Sequence, residues 1–456
     1  MRDPRRIHGA DPGCSSRKVL PVILSRLNPF RGLANPREVW VWGMYDLANH
    51  SFAVLINTVF FALYFTGRLA PNPEAGKLWW GVAVAASNGM VVLATPLLGA
   101  MADVKGARRL GLVASCLACV AMTCSLCFVT PSTPGAMWAA MGLYIGAAFA
   151  FAAGESFLGS FLPQISTAAT AGRVSGIGWA MGYLSTCAIL PATLLITGTK
   201  DFSDATLRRV FLFAGVWFLV MATPTLLLLK DRVGAAPGAA GKPLLREAIG
   251  RLRHTLRDAG GQRHAVRFLL VFLVYSCGMK VVVYFSSVIA KSRFGFDDFR
   301  LTLLMLVIAV SAGVGAFVVG VIQDRVGHRR AIIGLLALWT VASVIAAAMP
   351  KTPGWTWLFW VVGNLVGVGL GGAGSASRAL VGVLSPRAKS AEFFGLWGLA
   401  SCGAATIGPL AFGITGDLLG ETAAMWMVVG FFVAGIAGMA TVDVRAGIAA
   451  AREADG

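Results

Sequence analysis

Residues 99–109 read Gly99-Ala-Met-Ala-Asp103-Val-Lys-Gly106-Ala-Arg108-Arg109, and residues 320–330 read Gly320-Val-Ile-Gln-Asp324-Arg-Val-Gly327-His-Arg329-Arg330. The glycines, the aspartate and the arginine pair recur at one constant offset. Each stretch leaves one apolar run and enters another. The series continues downstream. Phe161-Leu-Pro163 precedes Arg173-Val-Ser-Gly176, just as Leu384-Ser-Pro386 precedes Glu392-Phe-Phe-Gly395. Pro191 and Pro409 then fall at matching places. An ordered series of matches indicates an internal duplication.

The duplicated unit is a set of membrane spans. The chain has 456 residues, 57% hydrophobic and 13% charged, with a mean hydropathy of +0.73. Soluble domains carry about twice that charge. Apolar runs long enough to cross a bilayer core recur twelve times, from Val39–Phe65 to Thr422–Val442. Continuous runs of this kind exclude a β-barrel, whose strands alternate. The expected fold is therefore all-α. It comprises a basic N-terminal segment (1–38), a six-helix half (39–229), a linker (230–267), a second six-helix half (268–444) and a tail (445–456).

Net charge is +18, and its placement decides its meaning. With both termini in the cytoplasm, 28 Lys and Arg fall inside and 9 outside, while Lys280 and Arg378 lie within spans. That asymmetry is the positive-inside rule, so topology explains the charge and nucleic acid is not an expected partner. Residues 1–38 lack a cleavable signal, and a plasma membrane, in bacteria the inner membrane, is the expected location. Leu244, Leu245, Ala248, Ile249, Leu252 and Leu256 have helical spacing with arginines between them, which suits a connector lying on the anionic leaflet.

The twofold G-x-x-x-D-x-x-G-x-R-R loop resembles the signature of the major facilitator superfamily. A carboxylate at a helix end, a turn glycine and paired arginines can form a cytoplasmic charge network that breaks and re-forms as the halves rock. Asp103, Arg108, Arg109, Asp324, Arg329 and Arg330 are the expected gate residues. A narrower resemblance rests on Tyr45-Asp46-Leu-Ala48-Asn49, Gly172-Arg173-Val-Ser-Gly176-Ile-Gly178 with Gly182-Tyr183, Ser377-Arg378 and Ala391-Glu392-Phe-Phe-Gly395. Together these are similar to the "unknown major facilitator" family, which includes fungal vacuolar amino-acid effluxers. The resemblance implies a transporter and, for the fungal branch, amino-acid export. The chain departs from the family at Leu158-Gly159 and Ser276-Cys277-Gly278, where polar residues are usual.

Ionisable groups deep in lipid are costly and mark function. Away from helix ends there are four: Asp46, Glu155, Lys280 and Arg378, in spans one, four, seven and ten. By resemblance, those spans line the central cavity. At helical periodicity Asp46, Asn49, His50 and Asn57 share a face, Tyr144 joins Glu155, Tyr284 joins Lys280, and Asn364 joins Arg378. Asp46, Glu155 and Arg378 have similar depths, so one pairing among them can serve as an inner gate. Glu155 is the expected proton carrier. Structural ion pairs or interhelical hydrogen bonds that only fix the bundle are the alternative for each of these residues, the four charges included.

Cys116, Cys119, Cys124 and Cys127 form two C-x-x-C pairs inside one span, with the outer two about 16 Å apart along the axis, too far to share one tetrahedral ion. No cofactor, metal site or enzymatic constellation is expected. The expected function is secondary transport of a small polar solute, such as an amino acid or a related zwitterion or anion, with proton coupling, by a monomer. A membrane sensor or assembly factor on the same fold is the alternative.

Overall fold

The computed structural model describes residues 29–197, 203–234, 250, 259–349 and 355–455. The connector helix expected within 230–267 and most of the N-terminal segment lie outside them. Among the described residues there are no strands, and twelve helices are long and apolar enough to cross a membrane. In chain order they are α1 (Pro36–Leu69), α2 (Pro73–Lys105), α3 (Arg108–Ser125), α4 (Ala136–Ser160), α5 (Ala171–Thr197) and α6 (Asp204–Leu228). The second set is α7 (Ala259–Phe294), α8 (Asp298–Val326), α9 (His328–Ala348), α10 (Thr356–Leu384), α11 (Ser390–Leu419) and α12 (Glu421–Ala440). A thirteenth, α13 (Val444–Glu453), follows the last span.

Helix ends depart from the apolar runs because capping, not hydropathy, ends a helix. The run that starts at Leu78 belongs to a helix begun at Pro73, where Asn72 accepts a hydrogen bond from the amide of Ala75 at 2.8 Å. That helix continues to Lys105, and Gly106 stops it with φ of +62°. Helix α7 is broken near its start, where Gln262 leaves helical geometry, and the span itself runs on from there. The expected tail is largely helical.

The first span departs most from expectation. It includes two π-helical stretches, Phe52–Val59 and Phe65–Leu69. Thr58 Oγ1 donates to the carbonyl of Ala53 at 2.8 Å, taking up an acceptor where the ladder widens. Such widenings cluster at functional sites.

Helices α1–α6 and α7–α12 form the two halves, and the contacts between halves are made chiefly by α2 with α11 and by α5 with α8. Both seams rest on small residues. A Cβ on Gly176 of α5 would come within 2.6 Å of the carbonyl oxygen of Ala316 on α8, and one on Gly395 of α11 within 2.8 Å of the Pro96 backbone on α2. Within the first half, Phe61, Tyr64, Phe65, Trp80, Tyr144 and Phe211 pack ring against ring, including a stacked Phe61–Tyr144 pair at 5.5 Å. The polar residues discussed next lie between the halves.

Candidate functional site

The deepest layer joins α1 to α10. Arg378 donates from Nη1 to Asp46 Oδ1 at 3.0 Å and from Nη2 to Asp46 Oδ2 at 2.7 Å, a fork-to-carboxylate pairing across the halves. Its Nε donates to Ser175 Oγ at 3.1 Å and its Nη2 to the Ser175 carbonyl at 3.1 Å. The guanidinium carbon lies 4.6 Å from the ring centre of Trp42 and 5.7 Å from that of Trp179. The two side chains are only 3% and 4% exposed. Glycine is needed at position 178, where a Cβ would run into both Asp46 and Arg378. A buried pair of this kind holds because each charge is matched, and removal of one partner leaves the other stranded.

One turn along α1 lies a second layer. Asn49 Nδ2 donates to Glu155 Oε1 of α4. His50 Nδ1 faces the Asp46 carbonyl at 2.8 Å and Asn49 Oδ1 at 3.1 Å. Both partners are acceptors there, so Nδ1 carries a proton. Gly182 leaves room for the imidazole, and Tyr183 meets it edge-on at 5.6 Å. Among the pairings open to Arg378, the structure selects Asp46, while Glu155 is held by Asn49.

Farther along, burial gives way to exposure. Asp46 is 3% and Asn49 2% exposed, while Tyr284 is 50% exposed, Asn57 and Asn364 are exposed and Lys280 is half-buried. Asn57 accepts from the hydroxyl of Tyr144 at 2.6 Å. Asn364 accepts from Ser311 at 2.6 Å and donates to the Trp360 carbonyl at 2.9 Å. The polar stripe is thus buried at the Asp46–Arg378 layer and more exposed beyond it.

Below that layer is the face that carries both motif loops. Asp103 Oδ1 accepts from the Ala391 amide at 3.2 Å and Oδ2 from the Glu392 amide at 2.8 Å, so it caps the first turn of α11 in the other half. Asp324 does the same for α5, accepting from Gly172 at 2.8 Å and Arg173 at 3.0 Å. A helix start offers unpaired amides and a positive dipole end, which explains why a carboxylate is used twice.

The arginine pairs do not behave alike. Arg108 is fully buried, with Nε 2.6 Å from Asp103 Oδ1, Nη2 donating to the Arg387 carbonyl at 2.9 Å and Nη1 3.6 Å from Asp231. Arg109 instead donates to the Leu226 and Leu227 carbonyls at the end of α6, at 2.9 and 3.0 Å. Arg329 donates to the Ala440 carbonyl at the end of α12 at 2.6 Å. Arg330 is exposed, and among the described residues neither Arg329 nor Arg330 pairs with Asp324. The place of Arg108 is taken by His328, the first residue of α9, which faces Gln323 Nε2 at 2.7 Å and the Ala168 carbonyl at 3.1 Å. Ala107 stands outside α3, whereas α9 starts directly after Gly327. That one-residue difference moves the arginines out of step.

Sequence reasoning missed Trp42, Ser175, Trp179, Gln164, Asp231 and His328. Two of these had a signal, because Trp42 lies four residues before Asp46 and Trp179 four after Ser175, which puts each pair on one helix face. Asp231 had none. It reaches the site only because Gln164 ties the chain leaving α6, donating to Asp231 at 3.2 Å and accepting from the Arg232 amide at 2.9 Å.

Residues 81–452 match the family described as "Vacuole effluxer Atg22 like". The chain belongs to that family. It is 23% identical over 414 residues to an uncharacterised MFS-type transporter, YxiO, of Bacillus subtilis, covering 88% of this chain and 94% of the relative. It is 25% identical over 274 residues to autophagy-related protein 22 of Coccidioides immitis, covering 55% of this chain but 44% of the relative, so the chain matches less than half of that fungal protein. In fold it is similar to the human organic anion transporter MFSD10 (TM-score 0.67, 15% identity, 89% of this chain and 99% of that one). It is likewise similar to the proton:xylose symporter XylE (TM-score 0.71, 14% identity, 89% and 95%). The chain has the major facilitator fold, and its relatives are transporters rather than enzymes.

Proposed function

We propose that this protein is a secondary transporter that moves a small polar solute by alternating access, with the motif-loop face in the cytoplasm. The observation that carries the reading is the buried Asp46–Arg378 bridge between the halves, followed along the same helices by a more exposed polar stripe. In this conformation the cytoplasmic route is shut by two layers, the bridge and the pair of capping aspartates. The Lys and Arg asymmetry supports the orientation.

The stripe favours a small zwitterion or anion, such as an amino acid. Arg378 has its guanidinium committed to Asp46 and Ser175, which leaves Lys280 as the cation set to meet a substrate carboxylate. Tyr284, beside Lys280 on the same face of α7, supplies a hydroxyl.

Glu155 is the proposed proton site. It is bonded to Asn49, one turn along α1 from the bridge, so gain of a proton there weakens the hold of Asn49. The test is uptake into proteoliposomes of defined orientation. Glu155→Gln is expected to abolish pH-gradient-driven accumulation while substrate exchange at equal pH continues. Accumulation equal to the parent's would remove Glu155 from coupling. Absence of counterflow for any amino acid, organic anion or sugar would remove the transporter reading itself.

A further inference from the structure

We propose that α13 is a brace for the closed motif-loop face, and that Asp455 positions the start of α11 for its capture by Asp103. The helix is seated rather than trailing. Asp443 caps it, its Oδ1 accepting from the amides of Arg445 at 3.0 Å and Ala446 at 3.1 Å. The Asp443 amide in turn donates to His264 Nδ1 on α7 at 3.2 Å. Ala451 is buried, and Gly447 lies so close to Leu384 of α10 and His264 that a Cβ would meet both.

Past the helix, Asp455 Oδ1 accepts from the amide of Arg387 at 2.7 Å. Arg387 opens the short turn Arg387–Lys389 that leads into α11. Its carbonyl is the one that accepts from Arg108 Nη2 at 2.9 Å. A single residue is thus gripped on both sides, its amide by the tail of its own half and its carbonyl by the other half. Four and five residues on, the amides of Ala391 and Glu392 enter the carboxylate of Asp103. The tail fixes where that helix start stands, and Asp103 closes on it. The second seam is built differently: α5 is received by Asp324, and Arg173 donates to the Arg31 carbonyl at 2.9 Å, so it does not depend on α13.

This brace serves the closure invoked under the transport reading, but it can be read without transport. Hydrogen exchange of the full chain in lipid nanodiscs reports the Ala391 and Glu392 amides directly, with Gly172 and Arg173 as the internal reference. Asp455→Ala is expected to speed exchange at 391–392 by about three- to tenfold, the worth of one hydrogen bond, and to leave 172–173 unchanged. Asp455→Asn keeps the acceptor oxygen and is expected to restore parental exchange. A chain ending at Asp443 is expected to exceed Asp455→Ala at the same amides. Parental exchange at 391–392 in both Asp455→Ala and the shortened chain would overturn the proposal. An equal rise at both helix starts would do so too, since it would mark general loosening. If the shortened chain does not fold, Asp455→Ala and Asp455→Asn decide the matter.

Discussion

The two motif loops come from one duplicated sequence and perform one shared task in two ways. Each aspartate caps the opening turn of a helix in the opposite half, Asp103 on α11 and Asp324 on α5. In the first half a buried arginine is added, so Asp103 is both cap and counter-ion. In the second half the corresponding place is neutral, filled by Gln323 and His328. The shared part is therefore the cap. The arginine is an addition that makes one seam costlier to disturb than the other.

The largest test of that difference compares Asp103→Asn with Asp324→Asn. Either change presents an NH2 group to an amide that needs an acceptor. Only Asp103→Asn also strips a fully buried arginine of its nearest carboxylate, an effect of about 3 kcal/mol or more. Loss of capping alone is about 1–2 kcal/mol. Opening of the motif-loop face, read by labelling of engineered cysteines from that side, is expected to rise in both and by at least tenfold more in Asp103→Asn. Equal labelling would mean that Arg108 finds enough compensation in Asp231, and the seams would count as equivalent.

The seams themselves give a smaller test. Gly176→Ala inserts a methyl group against the Ala316 carbonyl, which belongs to backbone and cannot turn away. Overpacking of this kind costs about 1–3 kcal/mol, and here it falls on the contact between halves. Gly413→Ala on α11 meets nothing within 4 Å and gains helix propensity of about 1 kcal/mol. Thermal unfolding is expected to fall for Gly176→Ala along with cross-linking between α5 and α8, and to rise for Gly413→Ala. Unchanged cross-linking would show that α5 and α8 can part slightly at no cost.

These contrasts show what the sequence discloses and what it withholds. Hydropathy and the duplication disclosed twelve spans and two halves, because lipid forces every span to be apolar and helical. Charge in apolar surroundings disclosed Asp46 and Arg378. Their partnership with each other, rather than with Glu155, depends on the relative rotation of α1, α4 and α10, which no one-dimensional pattern records. The π-helical widening of α1 was equally hidden, since Phe52–Val59 reads as an ordinary apolar helix. Asp455 lies in a segment whose composition suggests only a soluble tail, and its partner is a backbone amide, which is the same for every sequence.

The smallest expected effect is also the sharpest test of the comparison, because sequence and structure disagree about it. Aligned by the repeat, Arg109 corresponds to Arg330. Aligned by contacts, it corresponds to Arg329, since those two donate to the last carbonyls of α6 and α12. A cation at a helix C-terminus stabilises by about 0.3–1 kcal/mol through unpaired carbonyls and the dipole. Arg109→Ala and Arg329→Ala are therefore expected to lower the midpoint of thermal unfolding by similar small amounts. Arg330→Ala, at an exposed position, is expected to stay within about 0.5 kcal/mol of the parent. The physical cause is the extra residue, Ala107, that stands between the turn glycine and the start of α3. Deletion of Ala107 would bring Arg108 to the position of His328 and Arg109 to that of Arg329 in count, and so should uncouple Arg108 from Asp103. If Arg330→Ala proves as costly as Arg109→Ala while Arg329→Ala is silent, the sequence register is the true one and the two arginine pairs are equivalent after all.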